Sequence, residues 1–202
     1  MWNHFDRGRF GITQVAGICG IFIPVVIFTC LGLSIASSPW FSWTQHALSD
    51  LGIQTNTAAV FNYGMIFGGI LSLVFSLGLI QILSNKIGAY LLALSSVALI
   101  GIGLFPETFF ALHFITSASF FMLLTIALLI IGLTIKQNPF ERSMGSLAFV
   151  FALIAIGSTI FLFHLKGIAI PEAFSCFPAF VWCLIVGVKM TRVEVLDHQN
   201  EE

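Results

Sequence analysis

AAVFNYGMIFGGILSLVFSLGLIQIL, residues 58–83, decides the fold. It contains no Asp, Glu, Lys, Arg or His. A helix rises 1.5 Å per residue, so roughly 20 apolar residues cross a hydrocarbon core about 30 Å thick. Five further stretches meet that length: Ile12–Ala36, Gly88–Phe105, Phe109–Ile135, Ser143–His164 and Pro171–Lys189. None alternates apolar and polar residues as a membrane β-strand does. The first is longer than the roughly 7–15-residue apolar core of a signal peptide. The expectation is an all-α polytopic membrane protein, a six-transmembrane-helix bundle in one domain spanning residues 12–189. It is flanked by a short N-terminal segment and a polar tail from residue 190.

Composition agrees. Hydrophobic residues make up 58% of the chain, charged residues 8%, and the mean hydropathy is +1.02. Soluble domains are about 25% charged, so a water-soluble globule is excluded. Eight Lys+Arg against nine Asp+Glu give a net charge of −1. That excludes a nucleic-acid partner, which needs a basic surface. There is no phosphate-binding glycine–lysine loop, so no nucleotide is expected. The span centres carry no Asp, Glu, Lys or Arg, which argues against a charge-relaying pump or channel. Cys19, Cys30, Cys176 and Cys183 lie in apolar runs without metal-ligand spacing and read as small packing residues.

Basic residues set the orientation. Arg7, Arg9, Lys86, Lys136, Arg142, Lys189 and Arg192 all fall on one side and only Lys166 on the other. The positive-inside rule then predicts both termini in the cytoplasm of a cell with the chain in its plasma membrane. Pro24 and Pro178 lie within spans and predict kinks. Gly64, Gly68 and Gly69 form a small-residue face on the second span. It suits close packing inside the bundle or, as the second choice, a homo-oligomer contact.

With this orientation the ionisable groups of the outer side collect at helix ends: His46 and Asp50 in the first outer loop, Glu107 and His113 at the fourth span, His164, Lys166 and Glu172 around the sixth. The loop 37–57, SSPWFSWTQHALSDLGIQTNT, is the one long loop. Trp40, Phe41 and Trp43 suit a membrane interface. Thr44–Leu51 is expected to form a short interfacial helix ended by Gly52, with His46 and Asp50 one turn apart on one face. Asp50 and Ser49 would then either cap the turn into the second span or orient His46 and share a metal. Glu107 in the Pro-Glu start of the fourth span suits the helix dipole. His113, about 9 Å deeper, needs a partner there, whether a carbonyl, a hydroxyl or a metal. Pro171-Glu172 repeats the Pro-Glu helix start. Asn62 is a further polar group at this level.

Taken together, His46, His113 and His164 are candidate zinc ligands, with Asp50, Ser49 and Glu107 as catalytic candidates and Asn62 and Glu172 as binding candidates. Zinc with an open position would activate water, and Ser49 could donate to a developing oxyanion. No HExxH or His-x-x-x-His is present. Two functions fit: a metal-dependent hydrolase of a lipid or amphiphile, or a non-enzymatic transporter or lipid-binding protein using the same vestibule. Membrane lipids are the expected partners of either.

Ser49-Asp50-Leu51-Gly52, Val60-Phe61-Asn62 with the following glycines, and Gly103-Leu104-Phe105-Pro106-Glu107 with His113 resemble the uncharacterised prokaryotic six-span family known as domain of unknown function 998. The resemblance covers roughly residues 12–189. It implies a six-helix bundle and no settled activity. The Ser-Asp-x-Gly stretch is distantly similar to the DRAM and Frag-type membrane proteins. The seven-span hydrolases that include alkaline ceramidases also use Ser, Asp and three His. This chain lacks their paired histidines on the last span.

Overall fold

In the computed structural model, residues 6–134 and 139–199 are described, with side chains for 11–134 and 141–192. His4, Lys136 and residues 200–202 lie outside the described residues, as does the side chain of His198. The helices are α1 (Asp6–Ala36), α2 (Ala58–Ile82), α3 (Ile87–Leu104), α4 (Phe110–Leu133), α5 (Pro139–Ser158) and α6 (Ala169–Gln199). Short 3-10 turns lie at Ser49–Gly52, Glu107–Phe109 and Thr159–Phe163. Among the described residues, six helical segments are long and apolar enough to cross a membrane, and there are no strands. Pro24 and Pro178 sit inside continuous helices.

Each helix packs on its chain neighbours, and α6 returns to α1 to close the ring. Lipid tails are as apolar as leucine, so burial alone does not drive helices together. Small residues and polar contacts do. Alanines 16, 89, 127, 148, 152 and 179 are buried at the seams. Ser72 Oγ meets Ser96 Oγ at 2.7 Å between α2 and α3, and Ser95 Oγ donates to the Phe120 carbonyl at 3.2 Å. Trp182 Nε1 donates to the Met144 carbonyl at 2.9 Å, tying α6 to α5. Such bonds contribute about 0.6 kcal/mol each in membranes. The large exposed side chains, among them Phe22, Phe67, Leu94, Phe114 and Leu153, point away from the ring.

The small-residue face of α2 belongs to this packing. A Cβ on Gly64 would meet Cys30 Cβ at 2.5 Å, and one on Gly68 would meet Ile27 Cγ1 at 2.5 Å. Gly64 and Gly68 thus pack on α1, and Gly69 packs on Ile100 of α3, inside the bundle. The four cysteines are free thiols.

At one end of the bundle lie the loop 37–57, the 105–109 turn and the 164–168 connection. At the opposite end Glu141 is buried in the first turn of α5. Its Oε1 accepts hydrogen bonds from the Ser84 amide (3.0 Å) and hydroxyl (2.8 Å), fastening the α2–α3 turn.

The expected helix over Thr44–Leu51 does not form. In a helix the Thr44 carbonyl would take the Leu48 amide and the His46 carbonyl the Asp50 amide. Instead Gly167 N donates to Thr44 O (3.0 Å) and Ala169 N to His46 O (3.0 Å). The loop is thus bonded across to the start of α6, and only Ser49–Gly52 coils into a 3-10 turn.

Candidate functional site at the long-loop end

The amides freed by this arrangement are met by carboxylates. Asp50 Oδ2 accepts from Ala47 N at 2.9 Å, and Glu172 Oε2 accepts from Leu48 N at 2.6 Å. The Pro-Glu start of α6 therefore holds the long loop down. The other Pro-Glu start brings Glu107 to the same place. The 3-10 turns 49–52 and 107–109 touch, and Glu107 lies within interaction range of both Asp50 and His113. Asp50 and Glu107 thus meet, and Glu172 is bonded to the adjoining amide of the loop.

Donors there are fewer than acceptors. Glu107 Oε2 is buried without a partner. Asn62 Nδ2 donates to the Gly52 carbonyl at 2.9 Å, leaving Asn62 Oδ1 buried and unpartnered as well. A Cβ on Gly52 would lie 2.6 Å from that oxygen, so the Asn62 side chain would have to shift to admit one. Thr57 Oγ1 closes the turn onto the Leu51 carbonyl at 2.8 Å.

His113 is buried. Its Nδ1 donates to the Phe105 carbonyl at 2.8 Å, since a carbonyl only accepts. In the neutral ring Nε2 then accepts from Ser117 Oγ at 3.3 Å. His46 has the opposite tautomer: its Nδ1 accepts from the Ser42 amide at 3.0 Å, and its ring packs on Trp40 and Phe41. His164 is exposed, with Nδ1 on the Ile160 carbonyl at 2.9 Å. Each histidine answers to a nearby backbone group. Among the described residues no three His, Cys, Asp or Glu side chains gather in a way that could hold a metal ion. The zinc set His46, His113 and His164 is not assembled, because the loop that carries His46 folds onto its own backbone.

Beneath the carboxylates lies a cavity of about 50 Å³. Its walls are apolar, including Ile27, Met65, Leu99 and Phe120, and its polar lining is Ser49, Ser117 and Glu172. A volume of that size admits a water or two, or one end of a slender ligand. Sequence reasoning missed Ser117, which hides in the apolar run of α4. The available signal was its i+4 spacing from His113, which puts both on one helical face. It also missed Glu141, which the predicted fifth span, beginning at Ser143, leaves in the loop before it.

The fold defines a multi-pass integral membrane protein, with a small, mostly apolar pocket that Glu172 lines at one end of the six-helix bundle. The chain belongs to the family described as protein of unknown function (DUF998), whose profile matches residues 18–189. No curated protein and no solved structure matches it.

Proposed function

We propose that this protein binds an amphiphile whose head carries a positive charge or several hydrogen-bond donors, such as a long-chain amine, at the outer face of the plasma membrane. One observation carries the reading: Glu107 Oε2 and Asn62 Oδ1 are buried without a donor, the Glu107 carboxyl lying against that of Asp50. A buried unpaired acceptor costs about 1–3 kcal/mol, so the folded chain retains a cost that a donor-bearing ligand removes. An ammonium head fits acceptor-only surroundings, and the apolar cavity below suits its tail. Transport and sensing are both served by such a site.

The test is thermal stability of the purified protein with a long-chain primary amine and with the alcohol of equal chain length. The amine is expected to stabilise the ligand-free protein by about 2.7 kcal/mol at a hundredfold excess over its Kd, and the alcohol by less. Glu107→Gln is expected to remove that preference. Equal stabilisation by amine and alcohol, unchanged in Glu107→Gln, overturns the reading.

A second reading, hydrolysis of the amphiphile, has its own observation: Ser117 lines the cavity and meets a histidine whose tautomer is fixed by the Phe105 carbonyl. Such a pair supplies a hydroxyl nucleophile and its base. Covalent labelling by a fluorophosphonate that is lost in Ser117→Ala and in His113→Ala supports it. Labelling that survives both removes it.

A further inference from the structure

The two ends of the long loop read SSPW (37–40) and QTNT (54–57). Between them they carry four hydroxyls, two carboxamides and one indole, and no ionisable side chain. The first stretch follows the end of α1 and the second precedes the start of α2, two helices that pack on each other. Together the stretches line an open pocket of about 280 Å³. It shares no residue with the cavity under the carboxylates.

Ser38 is in its wall and only 3% exposed, and the Ser38 hydroxyl has no partner. Its backbone is fully used: the amide donates to the Ile35 carbonyl at 3.0 Å, and the carbonyl accepts from Phe41 N at 2.9 Å. The turn therefore holds without the hydroxyl, which is left over at a depth where polar groups are nearly always partnered. Across the pocket the Gln54 carbonyl takes the amides of Thr57 (3.0 Å) and Ala58 (2.8 Å). That turn leaves the side chains of Gln54, Thr55 and Asn56 exposed, with no hydrogen bond to the described residues. Trp40 is 38% exposed. Its ring stands nearly perpendicular to those of Phe41 and His46, at 6.0 and 5.1 Å, which fixes its orientation.

The chemistry of an occupant follows from these groups. The negative end of the α1 dipole and the positive end of the α2 dipole flank the pocket, and no charged side chain lines it, so neither sign of charge is favoured. Hydroxyls and carboxamides both donate and accept, which suits a ligand whose own groups do both. An indole adds a flat apolar surface. The volume lies just under the roughly 300 Å³ at which small-molecule sites begin, so one ring fits and a chain of rings does not. A sugar ring has hydroxyls around its rim and C–H groups on its faces. We propose that this pocket binds one neutral hexose ring, carried by a glycolipid or by a free saccharide, with Trp40 against a ring face and Ser38, Gln54 and Asn56 on its hydroxyls. The site is separate from the amphiphile site proposed above.

The test is photolabelling of the full-length protein in phosphatidylcholine nanodiscs. Two probes carry a diazirine on the glucose ring: a methyl glucoside in solution and a glucosyl diacylglycerol in the bilayer. Saturable labelling within 37–40 or 54–57 by at least one probe is expected. The same glucoside without the diazirine should compete, and glycerol or diacylglycerol should not. Labelling by the bilayer probe alone assigns the ring to a glycolipid, by the soluble probe alone to a free saccharide, and by both to recognition of the ring itself. Gln54→Ala and Asn56→Ala are each expected to raise the half-saturating concentration about fivefold, the worth of one neutral hydrogen bond. Trp40→Leu is expected to raise it further. Ser38→Ala is expected to weaken labelling while the empty protein melts no lower, because the hydroxyl removed has no partner in the fold. Glu107→Gln is expected to leave sugar labelling unchanged, so this site is judged apart from the amine reading. Labelling that does not saturate, labelling spread over lipid-facing positions such as Phe22 and Phe67, or one half-saturating concentration in all four pocket variants overturns the proposal. So does a Ser38→Ala protein that melts lower yet labels as the wild type does.

Discussion

Asp50 turns one carboxylate oxygen to the amide of Ala47, three residues before it. That bond is structural, and an amide oxygen can make it equally well. Asp50→Asn is therefore expected to melt within about 0.5 kcal/mol of the wild type, while Asp50→Ala leaves a donor unmet at about 1–3 kcal/mol. Thermal denaturation in detergent checks both. Charge is a separate matter. If Asp50 helps hold a cationic head, Asp50→Asn folds normally and loses ligand stabilisation. Glu107 makes a sharper case. With Gln in its place, an N–H is available to Asp50 and one carboxylate charge is removed. Glu107→Gln is thus expected to raise the melting temperature of the empty protein while it weakens binding, the stability–function exchange common at sites. A lowered melting temperature for Glu107→Gln contradicts that account. The sequence reading already placed Asp50, Glu107, His113 and Glu172 on one level, since that follows from where apolar runs end. It could not see that the carboxylates take backbone amides from the loop, because those bonds join residues as distant as Leu48 and Glu172.

At the scale of elements, the long loop shows what local pattern cannot decide. Thr44–Leu51 has acceptable helix formers and a terminating glycine, yet its carbonyls are taken by amides of residues 167 and 169. Gly167 makes this approach: a Cβ there would collide with the backbone of Gln45 and His46, which has no flexible end to move. Gly167→Ala is expected to detach the loop from α6, lower the stability by about 2 kcal/mol or more, and open 37–57 to protease. Cleavage no faster than in the wild type would mean the loop is held by Asp50 and Glu172 alone. The six apolar spans, by contrast, were legible, because apolar length is a local property. Glu141 went unnoticed for the same reason as the loop: its partner, Ser84, lies in another turn.

The whole molecule is a ring in which sequence neighbours are spatial neighbours, closed by α1 against α6. The expected direction in the membrane, with both termini in the cytoplasm, rests on the sequence alone, where seven of eight basic residues fall in segments on the side opposite the long loop. Single cysteines at residues 55 and 138, in a background with the four native thiols removed, are expected to react from outside at 55 only. Labelling at 138 alone would invert the molecule and put the pocket in the cytoplasm. The order of closure has a consequence for biosynthesis. As the ribosome delivers the helices in turn, α6 leaves it last, and with it come the carboxylate that accepts from Leu48 N and the Ala169 amide that donates to the His46 carbonyl. A five-helix nascent chain therefore lacks the four α6 residues that line the pocket, and the seam of α1 stays open until that last helix docks on it.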